Sequence, residues 1–329
     1  METSAVGGTI VTPGRKRVKF PGTALTWLAV TPFAAWAVAR VAGLERGSLP
    51  TQIMTATPYA AAGSLVPLLI AAVGRKRAAT AVALLATTAL GFSVLPRALG
   101  SAETTSGRPF RVMTINMLFG RADAVTIMKL VREFNPDVLS TQELTPGAVS
   151  DLDAAGLEEV MPHRVLLPEW SAGGSGLYSR HPLEPLTGVM PPVGHQMPAA
   201  LISLPGGKPV EFIDAHPFPP LGDYVVEWNE ALAAFPSASS PDRIRIIAGD
   251  FNASLDHAAL RGLLARGYKD AADTVGAGLI PTWPANKRVP PIITIDHVLV
   301  DRRVGVKEVS VRDVPRTDHR AVLAELTVP

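Results

Sequence analysis

The chain has 329 residues and contains no cysteine. Disulfide-stapled scaffolds, zinc sites built from cysteine and thiol nucleophiles are therefore excluded. The chain also lacks an internal repeat long enough to indicate a solenoid. The absence of cysteine is compatible with export from the cytoplasm.

Charged residues are scarce and unevenly distributed. They make up 18% of the chain against 47% hydrophobic residues, and the mean hydropathy is +0.23, which is too apolar for a single water-soluble globule. Residues 1–100 carry ten Lys and Arg against two Glu, a net charge of +8, whereas residues 101–329 carry 21 basic against 27 acidic residues, a net charge of −6. All seven histidines lie in this second part, so titratable chemistry is expected there.

The first hundred residues contain three long uncharged runs, each long enough for a helix to cross a bilayer core of about 20 residues. The runs are Phe20–Ala39, Gly47–Gly74 and Ala78–Pro96. Three buried helices of a soluble domain are the alternative, but such helices normally present a polar face, and these runs do not. A cleaved signal peptide would explain only the first run. The runs therefore predict a multi-pass membrane protein, with kinks at Pro32, Pro58 and Pro67.

Basic residues beside these runs predict the orientation. The two basic flanks comprise Arg15, Lys16, Arg17 and Lys19 before the first run, and Arg75, Lys76 and Arg77 between the second and third. Both flanks are expected in the cytoplasm, because the opposite side carries only Arg40, Arg46 and Arg97. The predicted division is a cytoplasmic N-terminus (1–19), a three-helix transmembrane domain (20–99), a short flexible linker (100–108) and an extracytoplasmic domain (109–329).

The second part has the pattern of strands separated by helices and turns. The predicted strands are Phe110–Asn116, Asp137–Glu143, Ala200–Leu204, Val210–His216, Ile244–Gly249, Ile292–Val300 and Ala321–Val328. Gly206 and Gly207 predict a hairpin between the third and fourth of these. Asp123 is expected to cap a helix that buries Val125, Met128, Val131 and Phe134, and a second helix is predicted over Asp256–Arg266. This order indicates an α+β or α/β domain built from two layered sheets.

Polar side chains that are unusual in a core follow many of these strands. Taken singly, an Asp or Asn after a strand is usually a turn former or a helix cap. Their combination is more specific: Ile115-Asn116, Gln142-Glu143, Ser179-Arg180-His181-Pro182, Asp214-Ala-His216, Gly249-Asp-Phe-Asn252, Thr282-Trp283, Ile295-Asp-His297 and Thr317-Asp-His-Arg320. This order resembles the endonuclease/exonuclease/phosphatase superfamily of metal-dependent phosphoesterases, over about residues 108–329. The resemblance implies a DNase I-like two-sheet α/β sandwich, so the predicted fold is three N-terminal transmembrane helices followed by this α+β domain.

The resemblance also implies a role for each matching residue. Its metal set is Asn116, Glu143 and Asp318, holding Mg²⁺ or Mn²⁺, and its catalytic set is His216, Asp250, Asn252, Asp296 and His319. Asp250 would position or activate the attacking water, and Asn252 would hold that water or a phosphoryl oxygen. His319, oriented by Asp296, would donate to the developing oxyanion, while His216 would bind another phosphoryl oxygen.

Some positions of the superfamily pattern receive no catalytic assignment. A second acidic position of DNase I-like nucleases could be any of Glu158, Glu159, Glu169 and Glu184. His297 is expected to be structural, because it alternates with Asp296 along a strand. The remaining histidines, which are His163, His181, His195 and His257, are expected on the surface or in loops.

The surroundings of the site suggest the substrate. A nucleic-acid partner is disfavoured, because the net charge of −6 comes without a basic run longer than a pair. Phe218, in the apolar loop Pro217–Leu221, and Trp283 are expected to contact the substrate. Equally, the loop could serve only as a rigid rim of the site, and Trp283 could serve only in packing. Three spans followed by a His-Pro-Phe-Pro-Pro phosphoesterase resemble the VanJ-type teicoplanin-resistance membrane proteins. That resemblance implies hydrolysis of undecaprenyl diphosphate at the cell membrane, with no obligate protein partner. The alternatives are an anchored extracellular nuclease and a non-catalytic sensor of cell-wall precursors.

Overall fold

The computed structural model describes residues 22–191, 194–238, 242–285 and 288–329. The predicted cytoplasmic N-terminus, residues 1–19, and Phe20 at the start of the first predicted span lie outside the described residues. The helices are α1 (Thr23–Ala42), α2 (Ser48–Met54), α3 (Thr57–Gly63), α4 (Leu65–Val73), α5 (Arg77–Val94), α6 (Ala124–Phe134), α7 (Pro146–Ala154), α8 (Leu157–Val160), α9 (Val225–Ala234), α10 (Ala258–Leu264) and α11 (Ala271–Thr274). The strands are β1 (Arg108–Asn116), β2 (Val138–Gln142), β3 (His163–Leu167), β4 (Ser175–Ser179), β5 (Leu183–Leu186), β6 (Ala199–Ile202), β7 (Val210–Ala215), β8 (Ile244–Asp250), β9 (Tyr268–Asp270), β10 (Asp296–Asp301), β11 (Gly305–Asp313) and β12 (Arg320–Val328).

Two of the N-terminal helices are long and apolar enough to cross a membrane, namely Thr23–Ala42 and Arg77–Ala98. The second predicted span is broken, because its halves Ser48–Met54 and Thr57–Val73 meet at an angle of 64°. The two crossing candidates pack against each other and against α3 and α4, with small residues such as Ala71 and Ala83 at the contacts. These apolar helices are compatible with membrane anchoring.

The second part of the chain forms two six-stranded sheets. Their strand orders are β11-β12-β1-β2-β4-β3 and β5-β6-β7-β8-β10-β9. Each sheet has one parallel pair at its centre, β1 with β2 and β7 with β8, and its other pairs are antiparallel. Buried side chains of both sheets, including Val112 and Phe212, fill the space between them. Helices α6 to α8 cover the outside of the first sheet and α9 and α10 cover the second. The predicted two-sheet sandwich is therefore confirmed.

Helix α6 shows how closely the sequence pattern follows the structure. Asp123 caps it as predicted, and its side chain accepts a hydrogen bond of 2.8 Å from the backbone amide of Thr126. The buried face differs, because Val125 is 72% exposed while Ile127 is fully buried. Ala124 lies on the same helix face as Ile127 and Met128, which follow it by three and four residues. The buried face of α6 therefore begins at Ala124, and Val125 faces solvent.

Two further predictions differ from the structure. The strand predicted from Ile292 begins only at Asp296, because Ile293 instead pairs with Trp283 in an isolated bridge. The predicted flexible linker is held against the catalytic domain. The backbone amide of Glu103 donates to the carbonyl of Val306 at 2.8 Å, and the carboxylate of Glu103 pairs with Lys269.

Candidate active site

The parallel pairs explain why the predicted residues meet. Asn116 ends β1 and Glu143 directly follows β2, whereas His216 directly follows β7 and Asp250 ends β8. The carboxyl ends of parallel strands lie at the same edge of a sheet. Asp296 joins them, because it opens β10 opposite Asp250 in the antiparallel register.

Asn116 links carboxylates from the two sheets. Its Nδ2 donates to Oε1 of Glu143 and to Oδ2 of Asp250, both at 3.1 Å, while its Oδ1 accepts from the backbone amide of Leu118 at 2.9 Å. The other oxygen of Glu143 accepts from the backbone amide of Phe119 at 2.7 Å. The side chains of two opposing sheets are thus held at one point by a single amide.

Two residues of the site adopt left-handed backbone conformations. Glu143 has φ of 55° and Asn252 has φ of 48°. This region is uncommon for a non-glycine residue and is enriched at functional sites. At Asn252 it allows the backbone amide to donate to Oδ1 of Asp250 at 2.8 Å, while the side chain donates to the carbonyl of Pro217 at 3.1 Å.

A buried histidine lies between two carboxylates. Nδ1 of His319 is 3.0 Å from Oδ2 of Asp296, and its Nε2 is 3.7 Å from Oδ2 of Asp250. Burial lowers the pKa of His319, but Asp296 and Asp250 outweigh it and raise that pKa to about 10. Burial raises the pKa of Asp250 to about 7, against the opposing effect of His319. The histidine is therefore a proton donor at neutral pH, and the aspartate can exchange a proton near neutrality.

Asp318 has one carboxylate oxygen without a hydrogen bond from the described residues. Its Oδ2 accepts from Nε1 of Trp283 at 3.1 Å, whereas its buried Oδ1 has no hydrogen-bond partner among the residues that the structure describes and lies 3.9 Å from Nε2 of His319. Such an orphaned oxygen beside other carboxylates fits a hard cation, which prefers oxygen ligands. The contact also shows that Trp283 orients Asp318.

Two groups of side chains could hold a cation: Asp250 with Asp296 and His319, and the predicted metal set of Asn116, Glu143 and Asp318. Asp250, Asp296 and His319 each offer one ligand atom within 4.8 Å of the others. However, a protonated imidazole cannot ligate a metal, and the raised pKa of His319 favours that form. Glu143 carries a pKa raised chiefly by burial and also by the charge of Asp318, which is the effect expected of carboxylates sharing a cation site.

His216 is 1% exposed, and the structure adds a second histidine beside it. The ring centroid of His195 lies 4.2 Å from that of His216 and 4.4 Å from that of Phe218, which in turn contacts Tyr224 at 4.8 Å. Burial lowers the pKa of His216 well below its usual value and that of His195 to about 4. Both rings are therefore neutral at physiological pH. His195 lies on the loop before β6, and no spacing in the sequence distinguishes it from the other histidines.

The remaining histidines have structural contacts. His297 is buried between Asp270 and the carbonyl of Ala253, each at 2.8 Å, as predicted for a structural residue. His181 pairs with Asp137 at 2.7 Å. His257 lies in the loop before α10, one of the two places expected for it, and is fully buried there.

The buried carboxyl group of Asp214 bonds to side chains of the other sheet next to the candidate site. Asp214 accepts hydrogen bonds from Oγ of Ser140 at 2.9 Å and from Nε2 of Gln142 at 3.2 Å. Burial raises the pKa of Asp214 well above its usual value. Because Gln142 precedes Glu143 and Asp214 lies two residues before His216, this network joins the two sheets directly beneath the candidate metal and phosphate positions. Both residues belong to the sequence motifs, but their contact was not predicted.

The family model described as the endonuclease/exonuclease/phosphatase family matches residues 113–319. The chain belongs to this family. Its members are hydrolases of phosphoester bonds and generally depend on a divalent metal, so the predicted hydrolase of phosphoester bonds is confirmed, while its assignment as a phosphatase stays a prediction. The family match leaves the VanJ-type identity and the identity of the metal as predictions.

Solved structures share the same fold. An endonuclease/exonuclease/phosphatase from Beutenbergia cavernae is 18% identical, with a TM-score of 0.51 over 67% of this chain and 72% of that chain. A family member from Bacteroides vulgatus is 17% identical, with a TM-score of 0.52 over 68% of this chain and all of that chain. D. rerio TDP2, solved with a single-strand DNA product, is 17% identical, with a TM-score of 0.53 over 67% of this chain and 99% of that chain. No curated protein matches the chain at a significant level.

Proposed function

We propose that the chain is a membrane-anchored, metal-dependent phosphoesterase that hydrolyses a lipid-linked diphosphate such as undecaprenyl diphosphate. Its catalytic domain would lie on the extracytoplasmic side of the cell membrane. Such a reaction would recycle the carrier lipid of cell-wall synthesis and lower sensitivity to glycopeptides such as teicoplanin. The observation that carries the proposal is the direct packing of the apolar helical unit against the rim of the active site.

Exposed apolar side chains surround this contact. Leu49 and Ile53 on α2 are 67% and 42% exposed, and Leu221 and Tyr224, beyond His216, are 50% and 54% exposed. The side chain of Ser48 joins the two segments through a hydrogen bond of 2.9 Å to the carbonyl of Pro220. Apolar surface next to membrane-spanning helices is suited to contact with lipid. A substrate whose phosphates lie at a membrane surface could therefore reach the site from the bilayer.

The charge of the catalytic domain favours a lipid over a nucleic acid. Residues 101–329 carry 27 acidic against 21 basic residues. Proteins that bind a polyphosphate backbone normally present clustered Lys and Arg, which displace its counterions. A lipid diphosphate has only two phosphates and gains the remaining affinity from its hydrocarbon chain.

Residues of the chain fit a divalent cation. Glu143, Asn116 and Asp318 would hold Mg²⁺ or Mn²⁺, because they combine two carboxylates with an amide, and Oδ1 of Asp318 accepts no hydrogen bond from the described residues. When bound, the cation supplies charge neutralisation at the phosphoryl oxygens. Phe218, which packs on His195, would contact the substrate beside the phosphates.

The protein's own groups would transfer the protons. Oδ2 of Asp250 would orient a water and accept its proton as the water oxygen bonds to the terminal phosphorus, with Asn252 holding the water or a phosphoryl oxygen. The bond from that phosphorus to the bridging oxygen would break, and the lipid monophosphate would leave. Nε2 of His319 would donate to the oxyanion, because Asp296 holds the opposite nitrogen of the ring. His216 would bind a further phosphoryl oxygen. Each donor is fixed by contacts present before substrate arrives, as electrostatic preorganisation requires.

The buried arginines bear on the proposed orientation. Arg40 and Arg97 lie at the ends of the two crossing helices that face the catalytic domain, and both pair with Asp256. Their positive charge is thus partly neutralised, which strengthens the bias toward a cytoplasmic position for the opposite flank of Arg75, Lys76 and Arg77. An alkaline phosphatase fused after Pro329 should be active, and an active cytosolic reporter in its place would reverse the orientation.

The deciding experiment compares two substrates. Detergent-purified protein is incubated with undecaprenyl diphosphate or with DNA, in Mg²⁺ or in EDTA, and D250N serves as the catalytic control. Phosphate release from the lipid that disappears in EDTA and in D250N would support the proposal. Activity on DNA alone would favour the second candidate, an anchored nuclease, which the DNA complex of the similar D. rerio structure brings into consideration. Lipid binding without turnover by either the wild type or D250N would indicate a sensor.

A further inference from the structure

The bent segment formed by α2 and α3 contacts the catalytic domain at three separate places. It lies between the two membrane-crossing candidates, and its 64° bend turns α2 away from the direction of α3 and α4. The bend lies beside Pro58, at the start of α3. Each of the three contacts reaches a segment that leads directly to a side chain of the candidate active site.

The first contact fixes the loop that follows His216. Oγ of Ser48 donates to the carbonyl of Pro220 at 2.9 Å and accepts from the backbone amide of Gly222, also at 2.9 Å. This loop includes Pro217, whose carbonyl accepts the side chain of Asn252 at 3.1 Å. One hydroxyl of α2 therefore bonds to this loop on both sides of Leu221. The loop directly follows His216 and bonds to the side chain of Asn252, and both are candidate phosphate-binding residues.

The second contact reaches the turn that follows Asn252. Nε2 of His257 lies 2.8 Å from the carbonyl of Thr51 in α2, and its Nδ1 accepts from the backbone amide of Ser254 at 2.8 Å. Because Nδ1 accepts, the neutral ring carries its proton on Nε2 and donates it to Thr51. Burial, which lowers the pKa of His257, keeps the ring in this neutral form. Thr51 is thus connected through one imidazole to the turn that sets Asn252.

The third contact reaches the segment that carries Trp283. The hydroxyl of Tyr59 in α3 donates to the carbonyl of Ile292 at 2.7 Å. The amide of Ile292 donates to the carbonyl of Trp283 at 2.9 Å. Trp283 in turn donates from its side chain to Asp318 at 3.1 Å. The candidate metal ligand Asp318 is therefore connected to α3 by a chain of three hydrogen bonds.

We infer that the α2–α3 segment positions the active site, so that the membrane unit is part of the catalytic machinery as well as its anchor. Ser48, Thr51 and Tyr59 touch none of the reacting groups and act through the three segments that carry them. Small displacements of such groups reduce turnover strongly, because catalysis depends on their alignment. The inference rests on phosphoester hydrolysis by this site and does not require that the substrate be a lipid.

The test uses the full-length protein in detergent and two conservative variants, S48A and Y59F. S93A is the matched control, because among the described residues the side chain of Ser93 bonds only within α5, to the carbonyl of Ala89 at 3.0 Å. Turnover is measured with the water-soluble diester bis(p-nitrophenyl) phosphate, and amide hydrogen exchange is measured on peptides covering Gly222 and Ile292. We expect kcat to fall about threefold to tenfold in S48A and Y59F with KM unchanged.

The exchange data assign each effect to its contact. S48A should accelerate amide exchange near Gly222 but not near Ile292, and Y59F should accelerate it near Ile292 but not near Gly222. S48T should keep the wild-type kcat, because it retains the hydroxyl. Variants that match S93A in both kcat and exchange would overturn the inference. Failure to hydrolyse undecaprenyl diphosphate would overturn only the proposed substrate, whereas failure to hydrolyse both the lipid and the diester would overturn phosphoester hydrolysis by this site and the inference with it.

Discussion

Replacing Asp256 by Asn should weaken the attachment of the N-terminal helical unit to the catalytic domain. The carboxylate of Asp256 is 1% exposed and pairs with two arginines from different helices. Nε of Arg40 lies 2.7 Å from Oδ1, and the guanidinium of Arg97 forms two hydrogen bonds of 2.6 and 2.8 Å. The amide of Asn retains one acceptor of similar shape, so the substitution mainly removes the negative charge.

The expected loss follows from the burial of both arginines. Their side chains are 9% and 7% exposed, so neither can recover full hydration when the carboxylate is lost. Removing one partner of a buried ion pair typically costs about 3 to 5 kcal/mol. For a catalytic domain of this size, each kcal/mol lowers the melting temperature by about 2 to 4 °C. We therefore expect D256N to melt about 6 to 20 °C below the wild type.

The measurement is thermal unfolding of the full-length protein in one detergent, monitored by tryptophan fluorescence. D153N is the matched control, because Asp153 forms an ion pair of 2.9 Å with Arg164 whose side chains are 27% and 32% exposed. An exposed pair contributes about 0 to 1 kcal/mol, so D153N should change the melting temperature little. A decrease in D256N no larger than that in D153N would refute the argument that this ion cluster joins the two units.

Three further predictions concern the active site and its support. E143Q should weaken metal binding, measured as a higher Mg²⁺ concentration for half-maximal activity. H319A should lower kcat by at least tenfold with KM nearly unchanged, because its donor acts on charge that develops in the transition state. Equal decreases of kcat and of substrate affinity in both variants would contradict this division. H195A should lower kcat/KM by about tenfold while H163A, on an edge strand, does not, and an unchanged value would remove His195 from the site. Because burial lowers the folded-state pKa of His257, the unfolded chain binds more protons, so the stability from this residue is present above the unfolded pKa of about 6.5 and is lost as pH falls below it. H257Q, which keeps one donor and one acceptor without titrating, should flatten the decrease in melting temperature between pH 7.5 and 5.5, and an unchanged slope would exclude His257 as its source.

The sequence was sufficient to predict which residues would meet at the active site. Asn116, Glu143, Asp250 and His319 each stand at or beside the end of a predicted strand, and the structure brings them within hydrogen-bonding networks of one another. Strand alternation was also sufficient to predict the structural role of His297, which faces away from Asp296. These features depend on periodicity and order along the chain, which are visible in a sequence.

Features that depend on contacts across the fold were not predictable. His195 becomes part of the site only because the loop before β6 packs against Phe218, and no local pattern encodes that approach. His257 is buried between Thr51 of α2 and the ring of Trp228 in α9, both distant from it in the sequence. The break in the second span lies beside Pro58, where the sequence predicted a kink. The polar contacts of Ser48 and Thr51 with a domain more than 150 residues away were not predictable from the sequence.

The ion cluster around Asp256 also has a consequence for biosynthesis. Arg40 is separated from its partner by 216 residues and Arg97 by 159. At a synthesis rate of about 5 to 20 residues per second, Arg40 would wait about 10 to 40 s before Asp256 is made. During this interval the helical unit exists with two arginines that lack their final counter-charge. Completion of the cluster therefore requires that the catalytic domain has been synthesised and folded as far as α10, which makes the docking of the two units a late step in the maturation of the protein.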